Sequence, residues 1–260
     1  MLKTRVIPVL LYADGGLVKT RKFRDEKYVG DPINAIRIFN EKGVDELVLL
    51  DITASAADAE PNFALVEQCA GECFMPLAYG GGVSQVAHME RLFFLGVEKV
   101  IVNTAAYGDL GWIREAVQQF GSQSVVLSVD VKRGMLGGYS AMLGRGTRKA
   151  KIPLLDHLQV CQHAGFGEVF VNCVHTDGTQ QGYDDHLISA LAHQVKVPFI
   201  ICGGAGELAH LRAAVAAGAD AVAAGSFFVF HGKHRAVLIT YPDQADLDGA
   251  FSGIKDRYRA

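Results

Sequence analysis

Short runs of aliphatic and β-branched residues recur along the chain, each closed by a glycine- or aspartate-rich turn and followed by a longer amphipathic stretch. The runs predict strands over about 5–10, 46–51, 74–79, 98–103, 124–130, 168–173, 197–202 and 220–224. The stretches between them predict helices over 32–42, 62–71, 84–95, 110–120, 154–164, 185–193 and 207–217. Asp31-Pro32 and Glu60-Pro61 place proline near a first helical turn, and Gly43, Gly96, Gly165 and Gly218 stand where helices stop. Eight strands alternating strictly with helices imply parallel pairing through right-handed crossovers. Such units close most economically into an α/β fold, a (β/α)8 TIM barrel, with a doubly wound open sheet as the alternative.

An internal repeat favours the barrel. Tyr79-Gly80-Gly81-Gly82-Val83 is similar to Cys202-Gly203-Gly204-Ala205-Gly206, and Val102-Asn103-Thr104-Ala105-Ala106 to Ala224-Gly225-Ser226-Phe227, at an offset of about 120 residues. Leu49-Leu50-Asp51-Ile52-Thr53 answers the segment from Asn172 to Gly178, and the first strand answers Val126-Leu127-Ser128-Val129-Asp130. Two half-barrels explain the offset and set Leu11 opposite Asp130. The expected organisation is a single domain over 1–260.

Composition narrows the classes. Half the residues are hydrophobic and 20% are charged, which suits a soluble protein with a large core. A net charge of -3 gives no pull toward nucleic acid or an anionic membrane. The N-terminus lacks a secretory pattern and no run is long enough to span a membrane, so a cytoplasmic location is expected. The five cysteines, Cys69, Cys73, Cys161, Cys173 and Cys202, are odd in number and lie mostly in apolar runs, against a disulfide framework. Neither Cys69 and Cys73 nor the nine histidines show metal-ligand spacing, and no metal or other cofactor is expected. His175 alone falls in a loop on the active face, where a plain turn role is expected.

Barrel active sites form at the C-terminal ends of the strands, where every repeated motif falls. Glycines there let backbone N–H groups approach an anion, and helix N-termini add further donors. Gly82, Asn103 and Thr104 would make one phosphate cradle, and Gly178, Gly204, Gly225 and Ser226 its twin. The plainer alternative is that these glycines only permit tight turns. Two cradles at symmetric positions point to a ligand phosphorylated at each end. The chemical candidates are Asp130, Asp177, Asp51 and Lys19, since an acid ending an apolar strand needs solvent or a partner. Asp130 could equally pair with Lys132 or Arg133. Lys19 opens a polar stretch, Thr20 to Lys27, that reads either as a lid over an anionic ligand or as a solvated loop. At the opposite ends of the strands stand Arg5, Glu46, Lys99 and Glu168, two charges of each sign that could close a neutral ring plugging the barrel.

The chain resembles the cyclase subunit of imidazole glycerol phosphate synthase over almost its whole length. The match rests on Arg5-Val-Ile-Pro, the run Asp45 to Ser55, Gly80-Gly-Gly, Val102-Asn-Thr-Ala-Ala106, Phe120-Gly-Ser-Gln123, Asp177-Gly-Thr179, Gly182-Tyr-Asp184 and Gly203-Gly-Ala-Gly206. The resemblance implies a (β/α)8 barrel that binds a bis-phosphorylated ribulosyl aminoimidazole carboxamide nucleotide and uses ammonia to cleave and cyclise it. It further implies a separate glutaminase docked at the opposite face, with ammonia passing through the barrel. On this view Arg5, Glu46, Lys99 and Glu168 form the ammonia gate, Lys19 is the loop lysine, and Asp130 is one of two acid-base aspartates.

The second aspartate should stand at position 11, where this chain has leucine. Losing half of an acid-base pair costs about 10²- to 10⁴-fold in rate. Asp14 belongs to the family pattern in its own right and lies past the strand end, and Asn172 and Cys202 stand where hydroxyl residues line the family's site. The Val9-Leu10-Leu11 strand end is similar to a divergent branch associated with amidation of bacterial surface sugars. There a glutaminase and a barrel supply ammonia to an ATP-dependent sugar amidotransferase. The leading expectation is a subunit that docks a glutaminase and conducts ammonia with little or no cyclase activity. The alternatives are a working cyclase of histidine biosynthesis and a phosphoribosyl isomerase, which would have no use for the gate charges.

Overall fold

The computed structural model describes residues 4–54, 59–135, 137–232 and 234–254. Ser55, the last residue of one quoted motif, and both ends of the 1–260 range lie outside these residues.

The chain runs β1 (Arg5–Ala13), β2 (Gly16–Arg21), β3 (Arg24–Gly30), α1 (Pro32–Glu41), β4 (Leu47–Asp51), α2 (Phe63–Glu72), β5 (Leu77–Gly80), α3 (Val86–Phe94) and β6 (Lys99–Val102). It continues with α4 (Gly111–Phe120), β7 (Val125–Arg133), β8 (Tyr139–Leu143), β9 (Arg148–Lys149), α5 (Leu154–Ala164), β10 (Glu168–Cys173) and α6 (Asp185–Ala192). The remainder is β11 (Phe199–Cys202), α7 (Leu208–Ala216), β12 (Ala221–Ala224), α8 (Ser226–Val229), a small ribbon and α9 (Gln244–Phe251). Strands β10, β11, β12, β1, β4, β5, β6 and β7 pair in that order, all parallel, and β7 pairs back onto β10 to close an eight-stranded barrel. The expected (β/α)8 fold is therefore present.

Local chemistry explains the helix starts. The Asp31 carboxylate accepts from Asn34 N at 2.9 Å with Pro32 opening α1, and Asn62 caps α2 through Leu65 N at 3.1 Å. Strand alternation then sorts the core into two shells. Val6 and Leu10 of β1 face the helices, whereas Ile7, Val9 and Leu11 face the barrel interior with Val48, Leu50, Ala78, Ile101, Val126, Phe170 and Ile200.

The two half-barrels carry matching additions. Strand β1 extends into the hairpin β2–β3, and β7 extends into β8–β9. The first hairpin corrects the reading of residues 20–27 as a loop. Lys22 and Phe23 make its turn in left-handed conformations, φ 55° and 61°, without the glycine or asparagine that usually signals one. Phe74, placed in the third strand by the sequence, precedes β5 and is 86% exposed. Among the described residues no helix is long and apolar enough to cross a membrane.

Candidate active site

A cavity of about 470 Å³ opens at the C-terminal ends of the barrel strands. Its wall includes Leu11, Lys19, Asp51, Gly82, Asn103, Thr104, Asp130, Asp177, Gly225 and Ser226, which brings most of the expected site residues together. Gly178 and Gly204 stay out of the lining. Gly178, at φ 65°, packs so closely under β2 that a Cβ would fall 2.2 Å from Thr20 O, and a Cβ on Gly204 would fall 2.1 Å from Gly182 O. Close backbone approach fixes glycine at both positions.

Asp130 is buried at the barrel axis end of β7. Asn172 Nδ2 donates to its Oδ1 at 3.1 Å and to Ser128 Oγ at 3.2 Å. Burial drives the Asp130 carboxyl up to about 6, with hydrogen bonds from Asn172 and Asn103 pulling the other way. The alternative pairing with Lys132 or Arg133 does not occur, since both side chains are exposed past the cavity and Asp130 enters no ion pair among those described. Asn103 Oδ1 and Tyr107 Oη, from the segment after β6, are buried and find no hydrogen-bond partner among the described residues.

Lys19 lies on β2, only 4% exposed, and its Nζ donates to the Val9 carbonyl. Desolvation lowers its proton affinity to about 8. Asp177 accepts from Thr20 Oγ1 at 2.7 Å and from Phe23 N at 3.2 Å, so its carboxylate ties the first hairpin to the loop after β10. Asp51 is likewise engaged locally, accepting from Thr53 N at 2.9 Å, Thr53 Oγ1 at 2.7 Å and Ala54 N at 3.1 Å. Asp14 is exposed at the turn between β1 and β2, outside the cavity.

Sequence reading missed Ser128, Thr20, Phe23, Arg145 and Arg148 in the lining. Ser128 had a signal, since it alternates with Val126 and Asp130 on the inward face of β7. The two arginines come from the second hairpin, whose turn carries a glycine signal at Gly144 and Gly146 that went unused.

The lower end of the barrel holds the four gate candidates. Arg5 bonds to Glu46 at 2.5 Å and to Glu168, and Lys99 reaches Glu46 at 3.1 Å and Glu168 at 3.0 Å. Each acid thus has two cations and each cation two acids, a closed ring. The carboxylates are 5% and 6% exposed while the Arg5 and Lys99 side chains are 29% and 22% exposed, so the cations form the outward-facing side. Between ring and cavity the interior is apolar, up to Leu11 and Leu50.

His175 does more than turn the chain. Its Nδ1 accepts from Arg133 N at 3.2 Å and its Nε2 meets Asp184 Oδ2 at 2.8 Å. Asp184 also accepts from Tyr139 Oη at 2.9 Å and caps α6 through Leu187 N at 3.0 Å. With Cys173 these groups have metal-ligand proximity. The Arg133 N–H fixes the proton on Nε2, facing Asp184, and burial pushes the Cys173 thiol up to about 11. The cluster is a hydrogen-bonded brace holding the second hairpin to α6.

The fold and site define a (β/α)8 barrel with acid and amide groups at its mouth and a charged ring at its base. The chain belongs to the family described as histidine biosynthesis protein, whose model matches residues 5–235. It is 56% identical over 253 residues to a Pseudomonas aeruginosa protein named "Putative imidazole glycerol phosphate synthase subunit hisF2", covering 95% of this chain and 99% of that one. It is 45% identical to a HisF-named Leptospira borgpetersenii protein, over 96% and 100% of the two chains. The imidazole glycerol phosphate synthase subunit HisF of Streptomyces coelicolor is 40% identical over 229 residues, 88% of this chain and 91% of its own.

Proposed function

We propose that this chain is a cyclase-type subunit that docks a glutaminase at the face bearing the charged ring, conducts ammonia through the barrel, and has little or no cyclase activity. The observation that carries this reading is Leu11. It packs with Leu50 against the apolar interior at the position where the resemblance expects an acid, while Asp130 faces it from the other half-barrel. Neutral ammonia crosses an apolar interior readily and ammonium does not, so a route of Ile7, Val9, Ala78 and Ile101 above a ring of ion pairs suits the uncharged species.

Phe74 and Phe94 support a partner at the lower face. Both lie on the side where helices run back to strand starts, and they are 86% and 88% exposed. Large exposed aromatics on the face that carries the ring are the residue type that anchors protein interfaces. In the mouth, Gly82, Asn103 and Thr104, and opposite them Gly225 and Ser226, shaped by Gly178 and Gly204, would hold the two phosphates. The ammonia acceptor in this proposal is an ATP-dependent amidotransferase acting on a surface-polysaccharide sugar.

The second reading, an active cyclase of histidine biosynthesis, draws on Asp130, whose raised proton affinity suits a general acid-base. One experiment separates the two. The purified chain is incubated with the bis-phosphorylated ribulosyl nucleotide and ammonium, and imidazole glycerol phosphate is measured. The proposal expects none above background, and sustained turnover overturns it.

A further inference from the structure

Lys19 is a buried amine that makes no ion pair among the described residues, although the charge of Asp177 is felt from further off. Its Nζ donates to a neutral carbonyl, Val9 O, and among the described residues no carboxylate lies within ion-pair distance of it. Asp177 acts on it through space while its hydrogen bonds go to Thr20 and Phe23 N. Lys19 nevertheless lines the cavity, and Gly225 is what leaves it room, because a Cβ there would fall 2.8 Å from Nζ. Burial outweighs the opposing field of Asp177 and disfavours the ammonium form, and with a proton affinity lowered to about 8, about half of the amine is uncharged at pH 8.

The opposite wall carries the complementary group. Strand β2 pairs onto β1, and β7 stands four strands from β1 around the eight-stranded ring, directly across it. Asp130 on β7 is buried and held by Asn172. A polar ligand in the cavity would therefore lie between an amine and a carboxyl, within a wall that also presents Arg148 and Ser226 to anionic groups, Arg145 beside them being paired with Glu26.

We propose that Lys19 is a nucleophilic amine that condenses with the carbonyl carbon of an open-chain phosphorylated ketose or aldose bound in this cavity. The Lys19 lone pair attacks the carbonyl carbon, the π electrons move to oxygen, and proton transfer from nitrogen to oxygen gives a neutral carbinolamine. Protonation of its hydroxyl by Asp130 releases water. The nitrogen lone pair forms the C=N bond, and the remaining N–H proton returns to Asp130, so one water leaves and no oxidant or reductant is consumed. This step needs neither a glutaminase nor ammonia, so it stands or falls separately from the proposed conduction.

The test is reductive trapping. The intact chain is incubated at pH 8 with ribulose 1,5-bisphosphate, dihydroxyacetone phosphate or ribose 5-phosphate in the presence of cyanoborohydride, which reduces an imine to a stable secondary amine. The modified lysines are then mapped by mass spectrometry. The expected result, with at least one of the three sugars, is an adduct on Lys19 at least tenfold above any other lysine, suppressed by inorganic phosphate, absent in Lys19→Arg and formed several-fold more slowly in Asp130→Asn. Phosphate suppression is read on the unsubstituted chain and does not depend on either variant folding. Adducts spread over exposed lysines such as Lys22 and Lys132, or none with any of the three sugars, overturn the proposal. Protection of Lys19 from acetic anhydride by the sugars without a reducible adduct also overturns it, leaving Lys19 a counter-ion for phosphate.

Discussion

Leu11 and Asp130 occupy equivalent places in the two half-barrels. Leu11 pairs inward with Leu50 on β4 and outward with Val18 on the first hairpin, and Asp130 pairs with Asn172 on β10 and Met142 on the second. The hairpins, absent from the sequence reading, make the equivalence stronger than the motif repeat alone. One half-barrel presents a leucine to the mouth where the other presents a carboxyl.

Restoring an acid tests what that asymmetry means. Leu11→Asp places a carboxylate beside Leu50 and Val9, at an expected stability cost of about 1–3 kcal/mol for a buried polar group lacking a built partner. The variant should give a detectable trace of imidazole glycerol phosphate where the parent gives none, measured by product chromatography over hours. If it stays inactive although folded and nucleotide-bound, position 11 is not all that the site lacks.

Asp130 should be expensive to the fold at neutral pH. Its carboxyl titrates near 6 in the folded chain against 3.8 ordinarily, so the native state holds its proton more tightly. The associated stability is fully present below about pH 4 and is lost as pH rises through 6. Asp130→Asn should therefore stabilise the protein at pH 7 by about 1–3 kcal/mol, and the gain should vanish by pH 4. The unpaired Asn103 Oδ1 offers the new amide an acceptor. Urea unfolding at several pH values reads this directly.

Lys19 carries the opposite sign. Its proton affinity falls from 10.5 to about 8 on folding, so the charged form weakens the fold at neutral pH, and stability rises between about pH 8 and 10.5. Lys19→Met should stabilise at pH 7 by about 2 kcal/mol after loss of the bond to Val9 O, with the advantage shrinking toward pH 10. Thermal scans of both chains across that range would show the two curves converging.

The charged ring should be the costliest polar element to interrupt. Lys99→Met leaves buried Glu46 and Glu168 with Arg5 alone, and breaking a buried pair costs about 3 kcal/mol or more, somewhat less here because Lys99 is partly exposed. The melting temperature should drop by roughly 5–10 °C. An unchanged melting temperature would mean that water already screens the ring.

Much of the fold was readable because its signals are local. The eight barrel strands and seven connecting helices follow from apolar period and from punctuation by Asp31-Pro32, Gly43 and Gly165. The two hairpins were not readable. The first turn relies on Lys22 and Phe23 in left-handed conformations, and the strand Arg24–Gly30 pairs along one edge only, so its exposed charges look like a loop; the second turn had a signal in Gly144 and Gly146, but the two-residue strand beyond it has no period to read. At the site, Asp130 and the glycine-rich turns were legible from the repeat. Lys19 was legible as a residue but not as a buried one.

By itself the sequence determined the barrel, the inward phase of each strand and the presence of leucine at position 11, because periodicity and residue type are properties of neighbouring positions. Only the tertiary structure decided that four charges from four strands close into a ring, that Asp177 ties its carboxylate to the first hairpin, and that Lys19 is buried in the cavity wall bonded to a neutral carbonyl. Those outcomes depend on distances between residues up to 163 positions apart, which closure of the barrel sets and no local pattern encodes.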